Sequence, residues 1–230
     1  MKEFLTGSVF FGAVISLLGY EAGLLLKKKF RLAVFNPLLI AVICVMAVLL
    51  IFDVDYDSYN EGGKYLSYLL TPATVCLAIP LYKQLALLKR NKAAVVCGIA
   101  AGVVANAATI LVLCLLFKLE HVHYVTLLPK SITTAIGMGV SEEAGGIVTL
   151  TVVSIIITGV SGVILAEKLF QFLHLEEPVA KGLALGNAAH AIGTSKALEL
   201  GEIEGAMSSL AIAVAGLMTV VVVPLIGNLI

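Results

Sequence analysis

Uncharged apolar runs long enough to cross a lipid bilayer dominate this sequence. One of them, Ala93–Phe117, has no charged residue in 25 positions, and a transmembrane helix needs about 20 apolar residues. Charged residues make up 13% of the chain and hydrophobic residues 60%, whereas soluble domains carry about 25% charged residues. The sequence therefore predicts an all-α polytopic membrane protein, and a bacterial inner membrane is its expected location.

The apolar runs predict about seven transmembrane helices and one re-entrant element. The re-entrant element is segment 118–146, which is less apolar than the other segments and is interrupted by Pro129. Irregular backbone is tolerated at membrane depth only inside protein or beside water. A full crossing of this segment is the alternative. The seven predicted crossings are Phe4–Leu26, Leu32–Phe52, Tyr65–Tyr82, Ala93–Phe117, Ile147–Ala166, Val179–Leu198 and Ala206–Ile230.

Two of these crossings contain helix breakers and are predicted to be broken. Pro72 and Pro80 interrupt the third run, because proline removes a backbone donor and clashes with the preceding turn. Gly186 and Gly193 flank a polar cluster in the sixth run. Polar groups at this depth are costly unless they are paired or hydrated, so the cluster predicts a solute site. Its members are Asn187, His190, Thr194, Ser195 and Lys196.

A shift of 113 residues places the first half of the chain on the second. LAIPLYKQL then falls on HAIGTSKAL, so that one helix breaker falls on another. The paired loops KQLALLKRNK and ELGEIEGA are basic and acidic, and basic loops face the cytoplasm. We therefore predict inverted-topology repeats, approximately residues 27–117 and 141–230, within a single membrane domain of residues 1–230. The scheme puts the N-terminus, segment 118–146 and the acidic loop 53–64 outside, and the C-terminus in the cytoplasm.

Paired broken helices in inverted repeats are typical of secondary transporters, whose sites lie near the membrane midplane. We therefore predict a site for a small organic anion, with Lys130 and Lys196 complementing its charge. His190 is a candidate carrier of a coupled proton, with a structural histidine as the alternative, and sodium coupling is also open. The remaining candidates are hydroxyls beside the first break and in the re-entrant element: Thr71, Thr74, Ser131, Thr133 and Thr134.

Three segments closely resemble the LrgB/CidB family: TPATVCLAIPLYKQ, PKSITTAIGMGVSEEAGGI and EEPVAKGLALGNAAHAIGTSKALELGEIEGA. The resemblance covers nearly the whole chain and implies two functions. One is carboxylate transport, since plastid relatives carry glycolate and glycerate and bacterial relatives are linked to pyruvate movement. The other is a holin/antiholin-like role, in which the protein works with a small LrgA-type membrane partner to modulate murein hydrolase activity and autolysis.

Transport of a small monocarboxylate is the main prediction, because it explains the repeat, the breaks and the polar cluster; the antiholin-like role is the alternative. An enzyme is not expected, since the sequence has no nucleophile elbow and no HExxH motif. The four cysteines lack CxxC spacing, so no metal site or cofactor is predicted. No basic patch fits nucleic acid. A homodimer is expected, because a moving half of so small a carrier needs a fixed scaffold.

Overall fold

The computed structural model describes residues 8–30, 35–76 and 78–230, without the side chains of residues 70, 71, 74, 80, 81 and 88. All regular secondary structure in these ranges is helical. The chain divides into two compact units, the first ending at Cys76 and the second beginning at Leu77.

The helices described in the first unit are α1 (Phe11–Phe30), α2 (Pro37–Ile51), α3 (Tyr56–Ser67) and α4 (Leu70–Cys76). α2 begins at a proline, whose missing backbone donor would be unpaired there in any case. The Asn36 side chain caps this helix by accepting hydrogen bonds from the backbone of Leu38 at 2.9 Å and Leu39 at 3.3 Å. α1 approaches α2 closely because Gly19 faces the backbone of Ala41.

α3 forms where the sequence predicted an irregular acidic loop. Gly12 of α1 and Gly62 of α3 face each other's backbone with no room for a Cβ on either side. The Ser16 and Tyr59 hydroxyls join the two helices at 2.8 Å. The helix was missed because its buried face consists of glycine and tyrosine rather than aliphatic side chains, so its apolar periodicity is weak.

The second unit is built around three long apolar helices. These three are the described helices that are long and apolar enough to cross a membrane. The elements in chain order are α5 (Ala78–Lys83), α6 (Leu85–Arg90), α7 (Lys92–Phe117), α8 (His121–Leu127), a 3-10 turn (Leu128–Ser131), α9 (Thr134–Glu143), α10 (Val148–Phe172), α11 (Pro178–Leu200), α12 (Glu202–Ile226) and a last 3-10 turn (Gly227–Leu229). The long helices are α7, α10 and α12, and they match the predicted runs to within a few residues.

Residues His121–Glu143 form a helical hairpin, hairpin A. Its base lies at the C-terminal end of α12, where the Tyr124 hydroxyl donates to the Ile226 carbonyl at 3.2 Å. Its tip lies halfway along α7, where Asn106 Nδ2 donates to the Leu128 carbonyl at 2.9 Å. The chain then folds back along α8, because the backbone N–H of Ile147 donates to Thr126 Oγ1 at 2.8 Å. Residues His121–Glu143 therefore fold back within the second unit, which is the path that the re-entrant prediction describes; how this segment lies in a membrane stays a prediction.

α11 is also a helical hairpin, hairpin B, whereas the sequence predicted a single broken crossing over Val179–Leu198. The chain turns at His190, where φ is 42° and ψ is −134°. A Cβ at Gly193 would collide with the Leu185 carbonyl oxygen. Residues eight positions apart in a straight helix would be separated by about 12 Å, so the two arms must lie side by side.

Both arms of hairpin B pack on the same part of α12. Gly186 of the first arm faces the Ser208 backbone, and Thr194 of the second arm lies 2.7 Å from Ser208 Oγ. Lys181, Leu200 and Glu204 consequently line one small cavity at the base of the hairpin. The predicted break is real, but it reverses the chain instead of letting it continue across.

α7 and α12 run in the same direction, each parallel to the first arm of hairpin B. Successive contacts in matching order establish this: Gly98–Leu183, Gly102–Asn187, Gly182–Glu204 and Gly186–Ser208. The predicted inversion requires these two helices to be antiparallel, so it does not hold for this pair. Lys83 Nζ also lies 3.9 Å from Glu202 Oε1. The basic and acidic loops predicted to face opposite sides therefore lie at one end of the second unit.

An inversion is present between two shorter neighbouring segments. Hairpin A followed by α10 occupies residues 121–172, and hairpin B followed by α12 occupies residues 178–226. α10 begins beside hairpin A, since Thr151 Oγ1 donates to the Thr126 carbonyl at 3.0 Å, and it ends beside hairpin B, since Glu167 pairs with Lys196. α12 runs the opposite way. The two hairpins thus enter the second unit from opposite ends.

The C-terminus lies at the base of hairpin A, because the Ile230 carbonyl is 2.8 Å from His121 Nδ1. The sequence scheme put the entry of segment 118–146 outside and the C-terminus in the cytoplasm. Only one of these two placements can be right, since the start of hairpin A and the C-terminus lie at the same end of the second unit.

Candidate functional site between the two hairpins

A cavity of about 770 Å³ runs along α7 toward the tip of hairpin A. One wall is α7 and the other is the first arm of hairpin B, and both present small side chains. Those of α7 are Ala94, Gly98, Gly102 and Ala105; those of hairpin B include Ala180, Ala184 and Ala188. The tip of hairpin A contributes Lys130 and Ser131, so this polar end of the cavity carries an ammonium and a hydroxyl.

The polar end is a connected chain of side chains. Lys130 Nζ donates to Ser131 Oγ at 3.3 Å, and Ser131 Oγ donates to Asn106 Oδ1 at 3.1 Å. The Asn106 amide nitrogen in turn holds the Leu128 carbonyl. Asn106 therefore fixes the position of the hairpin tip and lines the cavity as well.

Lys130 is partly buried and pairs with no described carboxylate. An ammonium removed from water without a counter-ion is costly, and an anion in the cavity would remove that cost. The cavity thus has the chemistry of an anion site: one cation with hydroxyl and amide groups beside it.

Asn187 belongs to the same cavity and lies nearer its middle. Its Nδ2 donates to the Ile99 carbonyl at 3.0 Å. The side chain sits over Gly102, where any Cβ would collide with the amide. Glycine at position 102 therefore lets hairpin B approach α7, and Asn187 is held beside the path toward Lys130.

His190 and Thr194 lie outside the cavity and serve the hairpin itself. Both are buried, with 3% and 1% of their surfaces exposed. His190 Nε2 lies 3.0 Å from the Ile155 carbonyl, so that ring nitrogen donates. Thr194 Oγ1 contacts both the His190 carbonyl and Ser208 Oγ. These bonds attach the turn and the second arm of hairpin B to α10 and α12.

Ser195 and Lys196 lie on the outer side of hairpin B. Ser195 is exposed, and its hydroxyl donates to the Ala191 carbonyl at 3.3 Å. Lys196 forms ion pairs with Glu167 and, at 3.3 Å, with Glu199. Lys196 thus has carboxylate partners of its own, in contrast to Lys130.

The remaining predicted hydroxyls are spread over two places. Thr133 and Thr134 are partly buried where α9 begins, next to the tip of hairpin A but not among the cavity lining. Thr71 and Thr74 have side chains outside the described set. Asn106 and Thr109 line the cavity although the sequence did not point to them as site residues. A lone amide in an apolar run favours a bond to a neighbouring helix, and Asn106 makes one.

The described residues contain no cluster of three or more metal-binding side chains.

Comparison with known proteins agrees with the family resemblance of the three segments quoted in the sequence analysis. Residues 16–229 match the model of the LrgB-like family. Proteins named antiholin-like protein LrgB, from Bacillus mycoides (strain KBAB4) and Bacillus cereus (strain B4264), are 36% identical over 221 residues, covering 96% of each chain. No solved structure matches. With this match along nearly its whole length and with its long apolar helices, the chain is a membrane protein of the LrgB-like family.

Proposed function

We propose that this protein is an antiholin-like membrane protein that modulates murein hydrolase activity and autolysis. The observation that supports the proposal is the match to relatives of that name, which covers 96% of both chains.

The antiholin-like role is tested in a Bacillus strain that lacks its own LrgB. Expression of this chain is expected to slow detergent-induced lysis and to reduce murein hydrolase bands in zymograms. The matched control is His190→Ala, which should reach the membrane in smaller amounts because it weakens hairpin B. Lysis at the same rate with and without the chain, when the chain is detected in the membrane of the expressing strain, contradicts the proposal.

We further propose that its molecular activity is the binding and passage of a small monocarboxylate such as glycolate, glycerate or pyruvate. The observation that supports this second function is Lys130, a cation without a described carboxylate partner at the polar end of a cavity. The cavity extends from Lys130 at the tip of hairpin A to Glu177 at the start of hairpin B, and two hairpins that enter from opposite ends are an arrangement suited to controlled passage rather than to an open pore.

Purified protein in liposomes tests the second function. Saturable uptake of radiolabelled glycolate or pyruvate is expected, with Lys130→Gln lowering uptake at least tenfold. Lys168→Gln is the matched control, since Lys168 is an exposed lysine outside the cavity. Passage of dyes of several hundred daltons, unaffected by Lys130→Gln, would instead indicate a pore.

The proposal includes a small LrgA-type membrane partner and a homodimer. Co-purification of an epitope-tagged partner with this chain, followed by mass measurement of the detergent-solubilised complex, checks both. Proton coupling and sodium coupling are separated by imposing each gradient alone during uptake.

A further inference from the structure

The cavity described above is longer and more apolar than a two- or three-carbon hydroxy acid requires. Lys130, Ser131 and Asn106 lie at one end, and Glu177 and Asn91 lie at the other. Asn106 and Ala94 are twelve positions apart on α7, so the apolar stretch between them is about 18 Å long. An anion of two or three carbons held at Lys130 would leave this stretch unfilled.

Two features of the cavity limit what fills the stretch. Apart from Asn187, whose amide is bonded to the Ile99 carbonyl, its walls between the two ends are alanine, glycine, valine and leucine, which favour hydrocarbon because burying apolar surface is favourable in itself. Glu177 is an exposed carboxylate at the far end. A ligand with a second anionic group there would meet a like charge, which is unfavourable.

We propose that the site binds a monocarboxylate with a medium-length apolar tail, such as octanoate, with the carboxylate at Lys130 and the tail between Gly98 and Ala184. The inference rests on the anion site of the proposed transport function and extends it. Each buried CH₂ group is worth about a fourfold gain in affinity. Octanoate is therefore expected to bind at least about a hundredfold more tightly than glycolate.

Binding is measured with radiolabelled octanoate and glycolate on protein in nanodiscs, with empty nanodiscs giving the partition into lipid. Suberate, which has the same length and a second carboxylate, is the competitor that tests whether the stretch beyond Lys130 accepts only an apolar tail. Octanol, which has the tail and no charge, tests the role of Lys130. Octanoate is expected to be displaced weakly by suberate and by octanol.

Variants separate the head of the ligand from its tail. Lys130→Gln should weaken binding of every carboxylate. Gly98→Leu should weaken octanoate at least tenfold and leave glycolate unchanged, because a Cβ at Gly98 meets only Leu183 Cδ1 at 3.6 Å and the added side chain enters the cavity. Gly139→Leu is the matched control, since a Cβ there meets nothing within 4 Å. Ala184→Leu, at an exposed position of hairpin B, repeats the test if Gly98→Leu unfolds.

Tight octanoate binding that depends on Lys130 and is lost in Gly98→Leu or Ala184→Leu supports the inference. It is overturned if octanoate binds no more tightly than glycolate, if suberate binds equally well, or if a co-purified phospholipid lost in Lys130→Gln occupies the cavity. If glycolate binds and octanoate does not, the inference of an apolar tail on the ligand is wrong, and the proposed transport function still stands. If octanoate binds and neither glycolate nor pyruvate is taken up, the inference of an apolar tail is supported and the proposed transport of glycolate or pyruvate is wrong.

Discussion

At the scale of residues, the polar cluster of hairpin B divides into two roles that its sequence does not separate. Asn187 lines the cavity, whereas His190 and Thr194 hold the hairpin together. A polar side chain in an apolar segment needs a partner, and the sequence correctly indicates that need. The partner of His190 is a backbone carbonyl 35 residues earlier. Such a partner is fixed by tertiary packing, so residue type and spacing alone could not distinguish it from a solute.

Substitution of His190 tests its role in the turn. Its φ of 42° favours glycine, and a residue held in such a region costs about 1–3 kcal/mol. His190→Ala keeps this strain and loses the bond to Ile155, whereas His190→Gly loses the bond and relieves the strain. We expect His190→Ala to unfold at a lower temperature than His190→Gly in detergent-solubilised protein. Equal unfolding temperatures would contradict this account of the turn.

The Thr194–Ser208 hydrogen bond provides a second test at the residue scale. Thr194→Val and Ser208→Ala should each lower stability, because each leaves a buried hydroxyl without its partner. A double-mutant cycle on unfolding free energy should give a coupling of about 0.6 kcal/mol, the average measured between membrane helices, and no more than about 1.7 kcal/mol. Additive effects of the two substitutions would show that the hydroxyls do not interact.

At the scale of elements, the long apolar helices could be predicted and the hairpins only in part. α7, α10 and α12 follow from apolar length alone. Hairpin A was anticipated because Pro129 and a drop in apolar density mark it. Hairpin B was mistaken for a crossing, because its two arms form one apolar run of normal length. The reversal depends on the backbone of His190 and on the room left by Gly193, neither of which changes hydropathy.

Cysteine labelling distinguishes a hairpin from a crossing in hairpin B. Single cysteines replace Glu176 and Leu200, which line one cavity at its base, after Cys44, Cys76, Cys97 and Cys114 are changed to alanine. Both positions should react with an impermeant maleimide from the same side of the membrane. Glu202→Cys and Leu229→Cys, at opposite ends of α12 and its final turn, provide the control pair and should react from opposite sides. Labelling of the first pair from opposite sides would show that this segment crosses the membrane instead of forming a hairpin.

At the scale of the whole molecule, the predicted direction of α12 relative to α7 was wrong because hairpin B was counted as a crossing. Hairpin B returns to the side from which it starts, so every helix after it runs opposite to the predicted direction. The predicted repeat of 113 residues therefore pairs α7 with α12 in the same orientation. The inversion lies instead between the two hairpin–helix segments, whose sequences show no repeat that we recognised.

The positive-inside rule can be applied to the second unit with hairpin B counted as a hairpin and not as a crossing. The end where α7 begins carries a dense group of basic residues: Lys83, Lys89, Arg90 and Lys92. By the positive-inside rule we expect this end to face the cytoplasm and the C-terminus to lie outside. Alkaline phosphatase fused after Ile230 should therefore be active, and green fluorescent protein at the same position should be dark. A fluorescent fusion would show the opposite orientation, with the C-terminus in the cytoplasm.

Hairpin B also has a consequence for biogenesis. Each arm contains about a dozen residues and is about 18 Å long, which is shorter than the roughly 20 residues that span a bilayer. The surface on which both arms pack belongs to α12 and is synthesised after them. Hairpin B therefore reaches its final depth only once α12 has left the translocon. A ribosome stalled within α12 would hold a hairpin that has been translated but has not yet been inserted.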